Sequence, residues 1–386
     1  MKLLYICSEY PPCSNFGGIG TVTKTLAESL AERGHDIYIA GMHGDISDDK
    51  SETINGVNVF RFRSKNLSRK EDLFYRIRFA IQISQIIRRF QVEIIETPDF
   101  FGLSPFVPVP FANKKPLVVR LHGSSTFLSE DQNIEPSRYF RIWESKVLKT
   151  ADALVGVSSY IIRRTNEIFQ LPKKPTFLIH NPVKLIPPAM QSAPKQEKVV
   201  VFSGTLMRLK GVYSLIKAWN LVAEKEPNAK LVMFGKDSQE NGKSVLSQLK
   251  TLLKPSILHT VTFHGHVDQR TIFNALCTAN VAVFPSYTES LGMAPLEAMS
   301  VGCPTIFTQR SSGPEVISDM EDGILVNPDC PEEIAEKILF CFQNPEKAQR
   351  LGGNGHAKVK TKFNLEDIII QNENMYSKVI KSRQNA

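Results

Sequence analysis

The chain has 386 residues, 42% hydrophobic and 22% charged, with a net charge of +8. At about 150 residues per domain this length calls for two or three cores, and the composition excludes a disordered, collagen-like or disulfide-stapled chain. No apolar run reaches the ~18 residues of a spanning helix, residues 101–112 are broken by Pro105, Pro108 and Pro110, and residues 3–7 are too short for a secretory segment, so a cytoplasmic chain is expected.

In chain order, residues 3–7 read as a buried strand. The loop Gly17-Gly18-Ile19-Gly20 follows, then a helix from about Thr21 with Val22, Leu26 and Leu30 on one face. Gly34 closes it and residues 37–40 form the next strand, a β-α-β unit that implies a parallel sheet. Further strands are expected at 57–62, 92–96, 117–121, 153–157 and 177–179. Between residues 61 and 90 stand nine Lys/Arg against two acids, Glu71 and Asp72. The helix expected over 72–90 puts Leu73, Ile77 and Ile81 at core-like spacing. Its basic character fits a solvated face, a seat on anionic lipid or a nucleic-acid contact, and no nucleic-acid motif accompanies it.

Residues 185–196, with Pro187, Pro188 and Pro194, read as an interdomain linker. The pattern then restarts: a strand at 199–203, a loop at 204–211, a helix at 212–223, and strands at 230–234, 261–263, 281–284 and 305–307. The tail from 365 to 380 reads as a terminal helix. The fold class is therefore α/β, two doubly wound Rossmann-like domains facing across a cleft, with ligands expected at the carboxyl ends of the strands. The expected domains are 1–190 and 195–362, with the helix in 365–386 packing back on the first. Six cysteines (7, 13, 277, 303, 330, 341) show no C-x-x-C pair and read as reduced structural thiols.

Three stretches carry chemistry. The 17–20 glycines allow backbone amides to approach an anion at a helix start, although the spacing is not G-x-G-x-x-G. Ser203-Gly204 to Gly211 places Arg208 and Lys210 at a helix entrance, where cations are unfavourable unless an anion joins them; they read either as anion ligands or as solvated surface charges. Pro285-Ser286-Tyr287-Thr288-Glu289 to Glu297 sets two glutamates eight apart. Pro295 suits a first helical position, so Glu289 is expected in the loop and Glu297 in the first turn, with the amides of Leu291, Gly292 and Met293 turned to a ligand. Asp99 and His122 end strands on the same side. His264 and His266 lack an evident third metal ligand, and neither a D-x-D pair nor a G-x-S-x-G elbow occurs.

On these residues the chain resembles the retaining glycosyltransferases of family 4, which share the GT-B architecture. The resemblance rests on Glu289 and Glu297 as the E-x7-E motif, on Leu296 to Pro304, on Gly313-Pro314-Glu315-Val316, on His180-Asn181-Pro182, and on Pro11-Pro12 with Gly17-Gly18. It implies roles by position. Glu297 holds the nucleotide ribose, Glu289 contacts the transferring sugar, Lys210 neutralises the diphosphate, Gly18 offers its amide to the phosphates, and His122 lines the sugar site. Asp99 is expected to contact the acceptor. The family arginine after the glycine is Thr205 here, and Arg208 is the expected substitute. The implied activity uses a nucleotide-diphosphate sugar as co-substrate, a UDP-sugar first and GDP-mannose second, with no metal and no other cofactor. The acceptor is a glycan or lipid-linked saccharide of a surface polysaccharide, segment 61–89 rests on anionic membrane, and no nucleic acid is bound. A GT-B epimerase, a phosphorylase and a non-catalytic sugar-nucleotide-binding protein are the alternatives.

Overall fold

The computed structural model describes residues 1–13, 17–64, 69–103, 115–132, 134–183, 185 and 198–384. Pro105, Pro108 and Pro110, and all of the expected linker except Leu185, lie outside the described residues. The chain forms two compact units, Met1–Pro182 with Glu366–Ala386, and Val183–Leu365.

The first unit is an eight-stranded sheet built on β1 (Lys2–Ile6) and β2 (Asp36–His43). To these are added β3 (Lys50–Ile54), β4 (Val57–Arg63), β5 (Ile94–Pro98), β6 (Leu117–Leu121), β7 (Ala153–Gly156) and β8 (Thr176–Leu178). Their order is β3-β4-β2-β1-β5-β6-β7-β8. All pairs are parallel except the β3–β4 hairpin, which supplies an antiparallel edge that alternation did not reveal. Leu3, Leu4, Ile37, Ile39, Ile95, Val118 and Val119 are buried to 2% or less, as continuous apolar strands covered on both faces must be.

Helix α1 runs Gly18–Glu32 and so begins three residues before Thr21. Glycine's low helix propensity hides such a start, and the buried stripe of Val22, Leu26, Ala27 and Leu30 holds the helix regardless. Helix α2 (Arg69–Phe90) departs further from expectation. Its inward stripe is Phe79, Ala80, Ile83, Ile86 and Ile87, whereas Leu73, Ile77 and Ile81 are 41%, 38% and 45% exposed. The helix carries two apolar stripes, and spacing alone does not say which meets the sheet.

The C-terminal helix, Leu365–Gln384, packs within the first unit. The Arg120 guanidinium, 2% exposed, donates to Glu96 Oε1 at 2.7 Å and to Asn372 Oδ1 at 2.5 Å. The Tyr376 hydroxyl donates to Glu96 Oε2 at 2.7 Å and lies 2.9 Å from the Tyr5 hydroxyl.

The second unit is a six-stranded, all-parallel sheet. Its strands are β9 (Val199–Ser203), β10 (Lys230–Phe234), β13 (Val261–Phe263), β14 (Val281–Phe284), β15 (Thr305–Thr308) and β16 (Ile324–Val326). Their order is β13-β10-β9-β14-β15-β16, and a short hairpin, β11 (Gln239–Glu240) and β12 (Lys243–Ser244), stands apart. The strand order reverses at β9, with β10 on one side and β14 on the other, so the loops leaving β9 and β14 end side by side at the switch point.

Candidate active site

In the second unit, the loops after β9 and β14 are stitched together. Tyr287 N–H donates to Leu209 O at 2.8 Å. Gly211 has φ 69°, and a Cβ there would fall 1.8 Å from Pro285 O, so only glycine permits this approach. The result is a compact cluster. Lys210 Nζ donates to Glu289 Oε1 at 2.7 Å, Ser286 Oγ donates to the same oxygen at 2.9 Å, and Glu289 N–H donates to Ser311 Oγ at 3.0 Å. The structure thus brings together Lys210 and Glu289, which are 79 residues apart in sequence.

Gly292, at φ 91°, caps the helix Met293–Ser300; a side chain there would meet the Phe307 ring at 2.7 Å. Met293 is therefore the first helical residue. Pro295 stands third and Glu297 fifth, two residues later than proline's usual place suggested, so Glu297 falls in the second turn rather than the first, because the left-handed Gly292 starts the helix. Leu291 is 1% exposed, so its side chain anchors the loop and only its backbone can serve a ligand. Glu297 is half-buried. Burial pushes its carboxyl up to about 7, while the hydrogen bond from Gln269 Nε2 at 2.8 Å draws it down.

Arg208 does not join this cluster. It is 62% exposed, donates through Nε to Glu240 Oε1 at 2.5 Å, and lies over the Tyr213 ring at 4.6 Å. Glu240, on the β11–β12 hairpin, was invisible as its partner because 32 residues separate them.

In the first unit, Asp99 is 1% exposed, which conflicts with the expected contact to an acceptor. Its Oδ1 accepts from His122 N–H at 2.9 Å and its Oδ2 from Gly123 N–H at 3.2 Å. Burial above all, and the Glu144 charge as well, push its carboxyl up to about 7. Asp99 therefore positions the His122 turn. His122 itself is half-buried, and burial followed by the Arg120 charge lowers its imidazole to about 3, so it is neutral at pH 7.

Two carboxylates were missed. Glu144, on the helix Arg138–Thr150, is fully buried and accepts from Phe101 N–H at 3.2 Å, Ser125 N–H at 2.8 Å, Thr126 N–H at 3.1 Å and the Thr126 hydroxyl. Its signal was an acid on the buried stripe of Trp143, Val147 and Leu148. Glu9 faces the start of α1, where its Oε2 accepts from Gly20 N–H at 3.2 Å. Gly18 is exposed, with open space beside it. The α1 amino terminus thus already serves a carboxylate, which satisfies the same orphan amides that an anion would.

The matches to known proteins agree with this fold. The family described as Glycosyltransferase Family 4 matches residues 16–185, and Glycosyl transferases group 1 matches residues 188–358. An uncharacterized glycosyltransferase of Methanocaldococcus jannaschii is 26% identical, over 97% of this chain and 98% of its own. Among solved structures, sucrose-phosphate synthase from Thermosynechococcus elongatus has a TM-score of 0.85 at 21% identity, covering 98% of this chain and 99% of its own. The Anabaena protein Alr3699/HepE, solved in complex with UDP-glucose, has a TM-score of 0.75 at 18% identity, covering 98% and 100%. The chain belongs to the family-4 glycosyltransferases of the GT-B fold and is an enzyme of the hexosyltransferase type.

Proposed function

We propose that this protein is a retaining, metal-independent glycosyltransferase that uses a nucleotide-diphosphate sugar. A UDP-sugar is the first candidate and GDP-mannose the second. The acceptor is a glycan or lipid-linked saccharide of a surface polysaccharide, met at the cytoplasmic face of the membrane. The observation that carries this reading is the Lys210–Glu289–Ser286 cluster beside the Gly292-capped helix that bears Glu297.

Breaking a sugar–diphosphate bond builds negative charge on the leaving group and positive charge on the sugar carbon. In the free protein Lys210 and Glu289 neutralise each other. A diphosphate brought to Lys210 competes for that ammonium, and Glu289 is left to face the oxocarbenium-like centre. The amides of residues 291–293 add fixed donors toward the phosphates without reorganisation. Glu297 accepts the ribose hydroxyls best as a carboxylate. His122, neutral and turned by Asp99, offers hydrogen bonds to the sugar. Attack from the face of the departing phosphate retains the anomeric configuration without a covalent glycosyl-enzyme. The UDP-glucose complex of the Anabaena neighbour supports the donor class.

A thermal-shift panel of UDP, GDP, ADP and their sugars, without added metal, tests the reading on wild type and Glu297→Ala. One nucleotide is expected to stabilise the wild type by about 2.7 kcal/mol at 100 times its dissociation constant, and the shift is expected to vanish in the variant. No shift with any nucleotide would remove the donor from this account.

A further inference from the structure

Glu289 and its neighbour Tyr287 are held by three loops that leave the carboxyl ends of the second sheet. From the loop after β9, Lys210 Nζ donates to Glu289 Oε1 at 2.7 Å, and Leu209 O accepts the Tyr287 N–H at 2.8 Å. From the loop after β16, Pro328 O accepts the Tyr287 hydroxyl at 3.2 Å. From the loop after β15, Arg310 lies 5.5 Å from the centre of the Tyr287 ring, and Ser311 Oγ accepts the Glu289 N–H at 3.0 Å. Ser286 Oγ donates to Oε1 at 2.9 Å, while Oε2 accepts no hydrogen bond among the described residues.

The turn that carries Ser311 is firmly anchored. Gln309 N–H donates to Val326 O at 2.9 Å, Arg310 N–H to Thr308 Oγ1 at 3.1 Å, and Gly313 N–H to Arg310 O at 2.9 Å. The last of these bonds closes a four-residue turn. Its central residues are Ser311, at φ 52°, and Ser312, at φ −81° and ψ −3°. A positive φ at the first central position is glycine's place, because a Cβ is strained there. The closing bond joins two backbone groups, so the turn itself does not require a side chain at 311. What serine adds over glycine is one oxygen, and that oxygen accepts from Glu289, 22 residues away in sequence. The strained serine is therefore explained by the contact it makes.

That contact matters most once a donor is bound. A diphosphate competes for the Lys210 ammonium, and Glu289 then loses its charged partner. Its carboxylate stays on the sugar carbon only if the backbone beneath it stays fixed. We propose that Ser311 is a positioning residue for catalysis: by holding the Glu289 amide it keeps the carboxylate aimed at the transferring sugar after the diphosphate has taken Lys210. This deepens the transferase reading and rests on it. Ser286 steadies the carboxylate, and Ser311 steadies the backbone that carries it. A catalytic group misplaced by about 1 Å costs on the order of 10²-fold in rate.

The test compares Ser311→Gly and Ser311→Ala with wild type. Glycine removes the hydroxyl and relieves the strain, whereas alanine removes the hydroxyl and keeps the strain. Ser311→Ala is therefore expected to melt below Ser311→Gly. Release of UDP from UDP-glucose, or of GDP from GDP-mannose, is expected to lose at least about tenfold in kcat, equally in both variants. The dissociation constant for UDP or GDP is expected to stay within about twofold of wild type. Hydrogen exchange of the free protein is expected to show the Glu289 amide opening at least about tenfold faster in both variants. A wild-type kcat in Ser311→Gly, unchanged exchange at Glu289, or activity losses that follow the melting temperatures would each overturn the role of Ser311 alone. A wild type stabilised by no nucleotide would instead overturn the transferase reading and this proposal together.

Discussion

Asp99 and Glu297 have one physical property in common, a carboxyl group set where water is scarce. Both are held up to about 7, and both keep their acid form well above the ordinary carboxylate range. In the first unit His43 and His122 work in the opposite sense, with imidazoles lowered to about 4 and 3 by burial and by nearby arginines. An acid whose folded value is raised costs stability as pH climbs from about 4 to 7, because the unfolded chain releases a proton that the folded one keeps. A histidine whose folded value is lowered costs stability as pH falls below about 6.5. Each group contributes a slope of up to about 1.4 kcal/mol per pH unit. Between pH 4.5 and 6.5 Asp99 therefore offsets one of the two histidines. Asp99→Asn is expected to steepen the rise of first-unit stability with pH by roughly 1 kcal/mol per pH unit, measured by urea unfolding across that range. An unchanged slope would show that Asp99 is ionised in the folded protein.

Among the elements, the two loops that carry Lys210 and Glu289 depend on backbone proximity before any side chain matters. Gly211→Ala would add a methyl 1.8 Å from the Pro285 carbonyl at a left-handed φ. A backbone clash of this kind cannot be relieved by a rotamer change. The substitution is expected to destabilise the second unit by about 2–4 kcal/mol and to weaken nucleotide binding together with stability. Chemical denaturation and calorimetric titration with UDP or GDP read the two effects. Helix α2 teaches a related lesson. Its periodicity correctly predicted a helix, but the residues at the most regular spacing, Leu73, Ile77 and Ile81, face outward. The interior took Phe79, Ile83, Ile86 and Ile87 instead.

For the whole molecule, the chain's two ends are tied by a buried polar network. Arg120, Glu96, Tyr5, Tyr376 and Asn372 join β6, β5 and β1 to the C-terminal helix, across sequence separations of up to 371 residues. Arg120 Nη1 has no hydrogen-bond partner among the described residues, so the guanidinium has little in reserve. Asn372→Ala removes its acceptor at 2.5 Å and is expected to cost about 2–3 kcal/mol of first-unit stability. Asn374→Ala, on the exposed face of the same helix, is the control, with about 0.5 kcal/mol or less expected. Equal effects of the two would show that the helix packs without depending on this network.

The sequence by itself determined the fold class and most elements of both sheets, because buried parallel strands are written as short apolar runs and glycines punctuate them. It also pointed to the family, through the Glu289–Glu297 spacing and the stretches 296–304 and 313–316, since each of these motifs lies in one local stretch. Only the tertiary structure decided which side chains meet. Lys210 pairs with Glu289, while Arg208 turns to Glu240. Asp99 goes inward and orients His122, Glu144 gathers the Phe101 and Thr126 turns, and Glu9 occupies the start of α1. Each of these partnerships joins residues brought near by sheet order and helix rotation. Periodicity fixes an element's shape but not the neighbour it faces, so those outcomes required the packed structure.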